Sequence, residues 1–249
     1  MKCHTYAQEV ISQKTLSWNT RQSYTYTVNK LIPKDLEMPL TEQKLKELLS
    51  KVINPNSRRS NTITLNSIFG LDLKKPKPVK WDGQMPSFEA LDALIQSNPK
   101  IRMYGNLMLH AGFRIGETLV KQRIKGLGIM VENQMFRNGE ISPAKSMGQV
   151  IPPTWLMDEY INWLPQYKNP NSVGGMFHKL FQKNDMPDMT AHKLRHCFAT
   201  HYAKILSIEG LRKQMRHSSI NVTMEYYVHV SDQDISSVMH TRPLRVIAN

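Results

Sequence analysis

Apolar positions recur at helical spacing along most of this chain. In TEQKLKELLSKV (41–52), Leu45, Leu48, Leu49 and Val52 return at intervals that set them on one side of a helix. Residues 15–70 as a whole read as a small helical bundle. From Ser87 the helical spacing runs to about Gln122, with a break near Gly112. It then gives way in GLGIMVENQMFRNGEI (126–141) to short strands, with turn signals at ENQ and RNG. Helical patterns resume in TWLMDEYINWL, GGMFHKLFQKN, AHKLRHCFATHYA, IEGLRKQMRH and NVTMEYYVHV. In the third of these, Leu194, Phe198, Tyr202 and Ile205 form one apolar stripe and are expected to face a core. The fold expected is mainly α with a small antiparallel β-sheet.

The pattern is interrupted once in a way that divides the chain. DLKKPKPVKWDGQMP (72–86) holds three prolines, a glycine and four lysines, a composition that prevents regular structure and keeps the segment extended. A domain boundary is expected there, with one helical domain over residues 1–80 and a second over 81–249. At 249 residues the chain is long enough for two separate cores.

Charge narrows the partners. Lys and Arg total 33 against 20 Asp and Glu, a formal charge of +13, and such an excess usually meets a polyanion. Nucleic acid is therefore the leading partner. SRRSNTITLNSIFGL places Arg58 and Arg59 among Ser, Thr and Asn, a mixture suited to phosphate contacts and equally to a solvated helix end. Lys74, Lys75, Lys77 and Lys80 give the linker a basic surface that could follow a phosphate backbone, or simply stay in water. No run approaches a membrane span, and MKCHTYAQEVISQK lacks the apolar core of a signal peptide, so no membrane partner and a cytoplasmic location are expected. Cys3 and Cys197 are too few and too far apart for a disulfide framework.

The remaining question is why AHKLRHCFATHYA, otherwise patterned as a core helix, carries so many cationic groups. His192 and Arg195 are three apart and can point together at one anion, near a helix start after Thr190. His192 and His196 have the spacing of a zinc helix, but Lys193 stands where a zinc protease has its glutamate, and Arg195 adds charge that repels a cation. No metal site is expected. Taken alone, this helix fits histidines that merely satisfy hydrogen bonds.

Its company changes the reading. HAGFRIGETLV (110–120), HKLRHCFATHYA (192–203) and MRHSSINVTMEYYVHV (215–230) together, in that order, resemble the tyrosine recombinase (phage integrase) family, over the region from about Pro86 to Val230. The resemblance implies a helical N-terminal DNA-binding domain followed by a tyrosine-recombinase catalytic domain, the pair forming a C-shaped clamp on DNA. It assigns Arg114 to the first catalytic arginine, with Glu117 as its local support, and His192 and Arg195 to the His-x-x-Arg motif. His217 begins the last motif, and the tyrosine nine residues on is Tyr226, with Thr223 three before it. Tyr227 competes through the ending Tyr-x-His; both spacings favour Tyr226. The family's lysine, on a loop between the second and third strands, matches Lys145 in AKSMGQVIPP. Arg216 stands where the family usually has glycine, a departure that bears on the local turn.

These residue types suit one reaction. Two guanidinium groups, on Arg114 and Arg195, can grip the equatorial oxygens of a pentacoordinate phosphate by paired hydrogen bonds. A tyrosine hydroxyl of pKa about 10 needs help in losing its proton as it attacks, and His192 is the expected acceptor. Lys145 is a reasonable acid for the leaving 5′ oxygen, and His217 can donate to a nonbridging oxygen. Neither a nucleotide cofactor nor a metal is expected.

The resemblance then implies a site-specific recombinase or integrase of a mobile genetic element, acting through a covalent 3′-phosphotyrosine and a Holliday junction. Its partners would be double-stranded recombination sites, a homotetramer on paired sites, and accessory DNA-bending or directionality proteins. It would work in the cytoplasm of a prokaryotic, phage or mobile-element host cell, on the nucleoid when bound. The alternatives are a type IB topoisomerase-like relaxing enzyme and a catalytically inactive DNA-binding accessory protein. Finally, Ile235, Val238 and Met239 are expected on one face of a helix near 232–240 that docks on a neighbouring protomer or packs in cis.

Overall fold

The computed structural model describes residues 1–79 and 85–227. The chain divides into two compact units, Met1–Asp82 and Gly83–Asn249.

The first unit contains α1 (Cys3–Gln13), α2 (Trp18–Leu31), α3 (Glu42–Ser50) and α4 (Pro55–Phe69). Three of these begin where the sequence offers a short polar side chain. Ser17, Thr41 and Asn54 each accept a hydrogen bond from the backbone N–H three residues on, replacing a partner the helix start lacks. Gly70, in the left-handed region at φ 65°, ends α4. Leu45, Leu48 and Leu49 are buried with Val28, Leu65 and Ile68, as their spacing predicts. Helix α1 lies before the stretch read as helical: its buried face is only Cys3, Ala7 and Ile11, a stripe too narrow to stand out among polar neighbours.

The segment 72–79 has no regular structure, as its prolines dictate, but it is not loose. Leu73 is buried, and the Asn66 side chain bonds both its N–H and its carbonyl. Asn56 does the same for Val79. Two asparagine side chains thus pair with the segment as a strand would, which satisfies backbone groups that prolines leave without a ladder. Lys74, Lys75 and Lys77 are exposed along it; Lys80 lies outside the described residues.

The second unit opens with α5 (Phe88–Gln96), α6 (Arg102–Ala111) and the short α7 (Ile115–Thr118). Strands β1 (Arg123–Lys125), β2 (Gly128–Met135) and β3 (Ile141–Val150) follow, antiparallel and in sequence order. The fold class expected from the patterning is therefore the one observed. RNG forms the β2–β3 turn, whereas ENQ lies inside β2. There the register shifts between Val131 and Asn133. The buried Gln122 side chain occupies the irregularity, accepting from the N–H groups of Glu132 and Asn133 and donating to the carbonyls of Asn133 and Glu117. A polar cluster that resembles a turn is thus a bulge closed by a distant amide, and Gln122 ties α7 to the sheet.

Helices α8 (Thr154–Asn162), α9 (Pro170–Lys183), α10 (Ala191–Tyr202), α11 (Ile208–Met215) and α12 (Ile220–Tyr227) complete the unit. Helix α6 is buried on nearly every side and α10 packs along it. Leu194 and Phe198 reach the core and Tyr202 is half-buried, but Ile205 falls beyond the end of α10 and is 65% exposed. Gly112 ends α6 at φ 67°, and a Cβ there would lie 2.9 Å from the Phe198 ring. Both facts require glycine. Among the described residues, no helix is long and apolar enough to cross a membrane.

Candidate active site

The two arginines foreseen as phosphate ligands are held by different means. Arg195, on α10, is 3% exposed, and its guanidinium donates to the carbonyls of Gly112 and Met215. These are the last carbonyls of α6 and α11, which have no partner within their helices and carry the negative end of each helix dipole. Burial, then the neighbouring Arg216 and Arg114, push its pKa down to about 9, so it remains a cation at neutral pH.

Arg114 precedes α7 and is half-buried. Its guanidinium meets Glu117 Oε1 at 2.9 Å, and its backbone N–H donates to Glu117 Oε2 at 2.8 Å. Glu117 is fully buried, a position a carboxylate tolerates only when paired. Its second cationic partner is Arg216, 2.5 Å away and 99 residues later in the chain. Arg216 takes the left-handed conformation at φ 54° at the end of α11, where glycine is the usual residue. The side chain that a glycine would lack is what reaches Glu117 and lies against the face of Phe113. This buried pair was not legible in the sequence, because nothing local links position 216 to position 117.

His217 follows at once. Its Nδ1 lies 3.0 Å from the buried Thr223 hydroxyl, and its carbonyl accepts from Arg212. Gln214 bonds the backbone N–H and carbonyl of Ile151 just past β3, which pins α11 beside the strand that carries Lys145. Lys145 itself is exposed within β3, four residues past the strand's start, and not on the β2–β3 loop as expected. The loop is confined to the residues around RNG, and Lys145 falls in the stretch of β3 between Pro143, paired with Asn133, and Gly148, paired with Val131, where the register shifts.

Arg114, Lys145, His192, Arg195, His217 and Tyr226 line a single cleft of about 410 Å³, with Ser146, His196, Ser218 and Val222. Among the described residues, no carboxylate lines it. The electrostatic effect is visible on the histidines. Burial first, then Arg195, Arg114 and Arg216, push His217 down to about 4. His192 keeps an edge open to solvent, yet the protein packed around it, then His196, Arg195 and Arg114, bring it to about 4 as well. Both are neutral at pH 7 and hold one N–H to donate and one nitrogen to accept.

Tyr226 and Tyr227 are separated by their surroundings. The Tyr227 hydroxyl donates to the Leu206 carbonyl at 2.7 Å, away from the cleft. The Tyr226 hydroxyl lies in the cleft, 2.9 Å from His196 Nδ1, and its ring stacks on His217 at 6.3 Å between centroids. Burial raises the Tyr226 pKa, with Arg195 opposing and Glu225 adding to the rise. The neighbour of its hydroxyl is thus His196, not His192. In the sequence His196 showed only as the second member of a zinc-like pair; that α12 carries a phenol to it is a tertiary fact.

The residues proposed for DNA outside the cleft are arranged otherwise. Arg58 donates from Nε and Nη2 to the Val52 carbonyl, at 2.9 and 2.7 Å, beside the end of α3. Arg59 donates to the Pro76 carbonyl at 2.7 Å. Both guanidinium groups are engaged with backbone inside the first unit. The proposed tail helix, with Ile235, Val238 and Met239, lies outside the described residues.

Residues 143–234 match the phage integrase family. No curated protein matches the chain. Among solved structures, the integrase of transposon Tn1549 in complex with a circular intermediate DNA is 18% identical, with a TM-score of 0.65 over 95% of this chain and 98% of that one. A lambda integrase dimer bound to a core site is 14% identical, with a TM-score of 0.67 over 91% of this chain and 77% of that one. A lambda integrase tetramer bound to a Holliday junction, also 14% identical, has a TM-score of 0.68 over the same shares. At these identities the structures share a fold with this chain.

Proposed function

We propose that this chain, whose residues 143–234 match the phage integrase family, is a tyrosine recombinase that cuts and rejoins double-stranded DNA at specific sites through a covalent 3′-phosphotyrosine on Tyr226. One observation carries the reading: six residues spread over 113 positions, from Arg114 to Tyr226, converge on a single cleft that no carboxylate lines among the described residues.

The chemistry follows from the geometry. Arg195 and Arg114 are fixed before DNA arrives, one by helix-end carbonyls and one by Glu117. They supply preorganised donors for the nonbridging oxygens as negative charge grows there. The neutral His217 and His192 each add an N–H. The Tyr226 oxygen forms a bond to the 3′ phosphorus, and the bond from phosphorus to the 5′ oxygen breaks. Lys145 protonates that oxygen. The phosphotyrosine retains the energy of the cleaved bond, so a 5′-hydroxyl from the partner duplex can attack it and reseal the strand. Lambda integrase has been solved as a tetramer on a Holliday junction, which supports a homotetramer on paired sites here. The helical unit of residues 1–82 is the further DNA-binding domain in this reading, and the protein would reside on the nucleoid.

The test is covalent capture. The wild-type chain is incubated with random-sequence duplexes nicked so that cleavage cannot be reversed, and the protein-linked DNA is digested and sequenced. The expected product is one duplex family joined through its 3′ phosphate to the peptide carrying Tyr226, with Tyr226→Phe inert. Adduct on Tyr227, or none, refutes the assignment. Relaxation of a supercoiled circle bearing one recovered site, without joint products from two, would instead identify a topoisomerase.

A further inference from the structure

The cleft contains a group that the reaction above does not use. His196 follows Arg195 on α10, is half-buried, and places Nδ1 2.9 Å from the Tyr226 hydroxyl. His192, one turn earlier, meets His196 edge to face at 4.9 Å between ring centroids. We infer that His196 accepts the Tyr226 proton during attack, which leaves His192 to hold the phosphate. This rests on the proposed phosphotyrosine chemistry and adds a catalytic residue to it.

A general base must lie within hydrogen-bond reach of the proton it takes, and His196 is within reach before DNA binds. The phenol approaches from α12 while His196 projects from α10, so the contact depends on how these helices pack. The protonation state of His196 also suits a base. The groups around His196 are His192, Lys193 and Arg195 on its own helix, with Arg114, His217 and Tyr226 from elements packed against it. Burial, then Arg195 and Lys193, lower it from the ordinary 6.5, so at neutral pH the ring is uncharged and Nδ1 can accept if its proton sits on Nε2.

The step balances. The phenol proton moves to His196 Nδ1, giving an imidazolium, as the Tyr226 oxygen bonds to phosphorus. The 5′ oxygen departs with a proton from Lys145, leaving a neutral amine. Resealing returns both protons. The cations around His196 oppose an imidazolium, but a bound phosphate's charge offsets them, so the base gains strength with substrate in place.

Two measurements test this, using the duplex recovered by covalent capture. His196→Asn keeps an acceptor near the position of Nδ1 but does not titrate. It should bind that duplex as the wild type does and form adduct about 10²-fold more slowly. It should also lose the fall in wild-type rate seen below the ordinary histidine range. Replacing the bridging 5′ oxygen by sulfur gives a leaving group that needs no acid, which should rescue Lys145→Ala but not His196→Asn. A His196→Asn rate within about threefold of wild type, or its rescue by sulfur, overturns the proposal while leaving Tyr226 as nucleophile. Absence of any wild-type adduct on Tyr226 overturns both. The second measurement needs no DNA. Nitrogen NMR of the wild-type chain should find His196 Nδ1 unprotonated at pH 7 and shifted by Tyr226→Phe; a protonated Nδ1 rules out the assignment.

Discussion

Arginines in the two units do comparable work with opposite results. On α4, Arg58 and Arg59 give their donors to the carbonyls of Val52 and Pro76, and the contacts secure a helix end and a proline-rich segment. In the second unit Arg195 also gives its donors to backbone carbonyls, those of Gly112 and Met215. There, however, Arg114 and Arg216 stand beside it and the buried Glu117 is the carboxylate that holds them both. The difference lies in what remains after structure has been satisfied. The first pair is spread over a surface and screened by water. The second cluster keeps an excess of fixed positive charge in a small cleft, where low dielectric strengthens its hold on an anion. A guanidinium bonded to backbone is therefore not thereby excluded from function; its neighbours decide.

The contrast is open to direct attack, most forcefully at Arg195. Arg195→Ala leaves two helix-end carbonyls without a buried partner, at about 1–3 kcal/mol each, and removes a donor from the reacting phosphate. Adduct formation should fall on the order of 10²-fold or more while gel-shift affinity for the captured duplex changes little. Arg195→Lys keeps the charge and part of the carbonyl contact, so it should melt closer to wild type yet still cleave poorly. Wild-type cleavage by either variant would place Arg195 with the purely structural arginines of α4.

A smaller effect is expected at Arg216. Arg216→Gly relieves the left-handed backbone strain, worth about 1–2 kcal/mol. It also leaves Glu117 buried with one cation in place of two, and breaking a buried pair costs about 3–5 kcal/mol. The net loss, read as a lower denaturation midpoint, should be on the order of 1–4 kcal/mol. Cleavage should drop by a lesser factor than in Arg195→Ala, because Arg114 is loosened but present. A stabilised variant would show that the strain outweighs the ion pair.

The smallest effect is expected at Arg58. Its bonds to Val52 are half-exposed, so Arg58→Ala should lower stability by about 1 kcal/mol and leave the salt dependence of DNA binding unchanged. If Arg58 instead contacts phosphate when DNA is bound, the slope of log affinity against log salt should fall in magnitude by about one. That result would move Arg58 to the functional side of the comparison.

Much of this was legible in the chain. Caps, glycines and apolar spacing mark α3, α4, α5, α10 and α11, because these signals act within a few residues of where they are read. Motif and spacing singled out Arg114, His192, Arg195, His217 and Tyr226, which line one cleft, and spacing alone preferred Tyr226 to Tyr227. Lys145 was singled out too, but it lies within β3 and not on the turn, since a strand's extent and the place of its register shift depend on its partner across the sheet. ENQ misled for the same reason: the amide that accommodates it inside β2 belongs to Gln122, outside the sheet. Residues 1–14 hid a helix whose buried face is narrow until α2 and α4 cover it.

By itself, then, the sequence determined most of the helices, the charge and the side chains proposed to react, all of which follow from covalent chemistry and local spacing. Only the tertiary structure decided which groups meet: Arg216 with Glu117 across 99 residues, and Tyr226 with His196 across 30. Such contacts arise when helices pack to bury their apolar faces, and the polar side chains brought together by that packing leave no local trace along the chain.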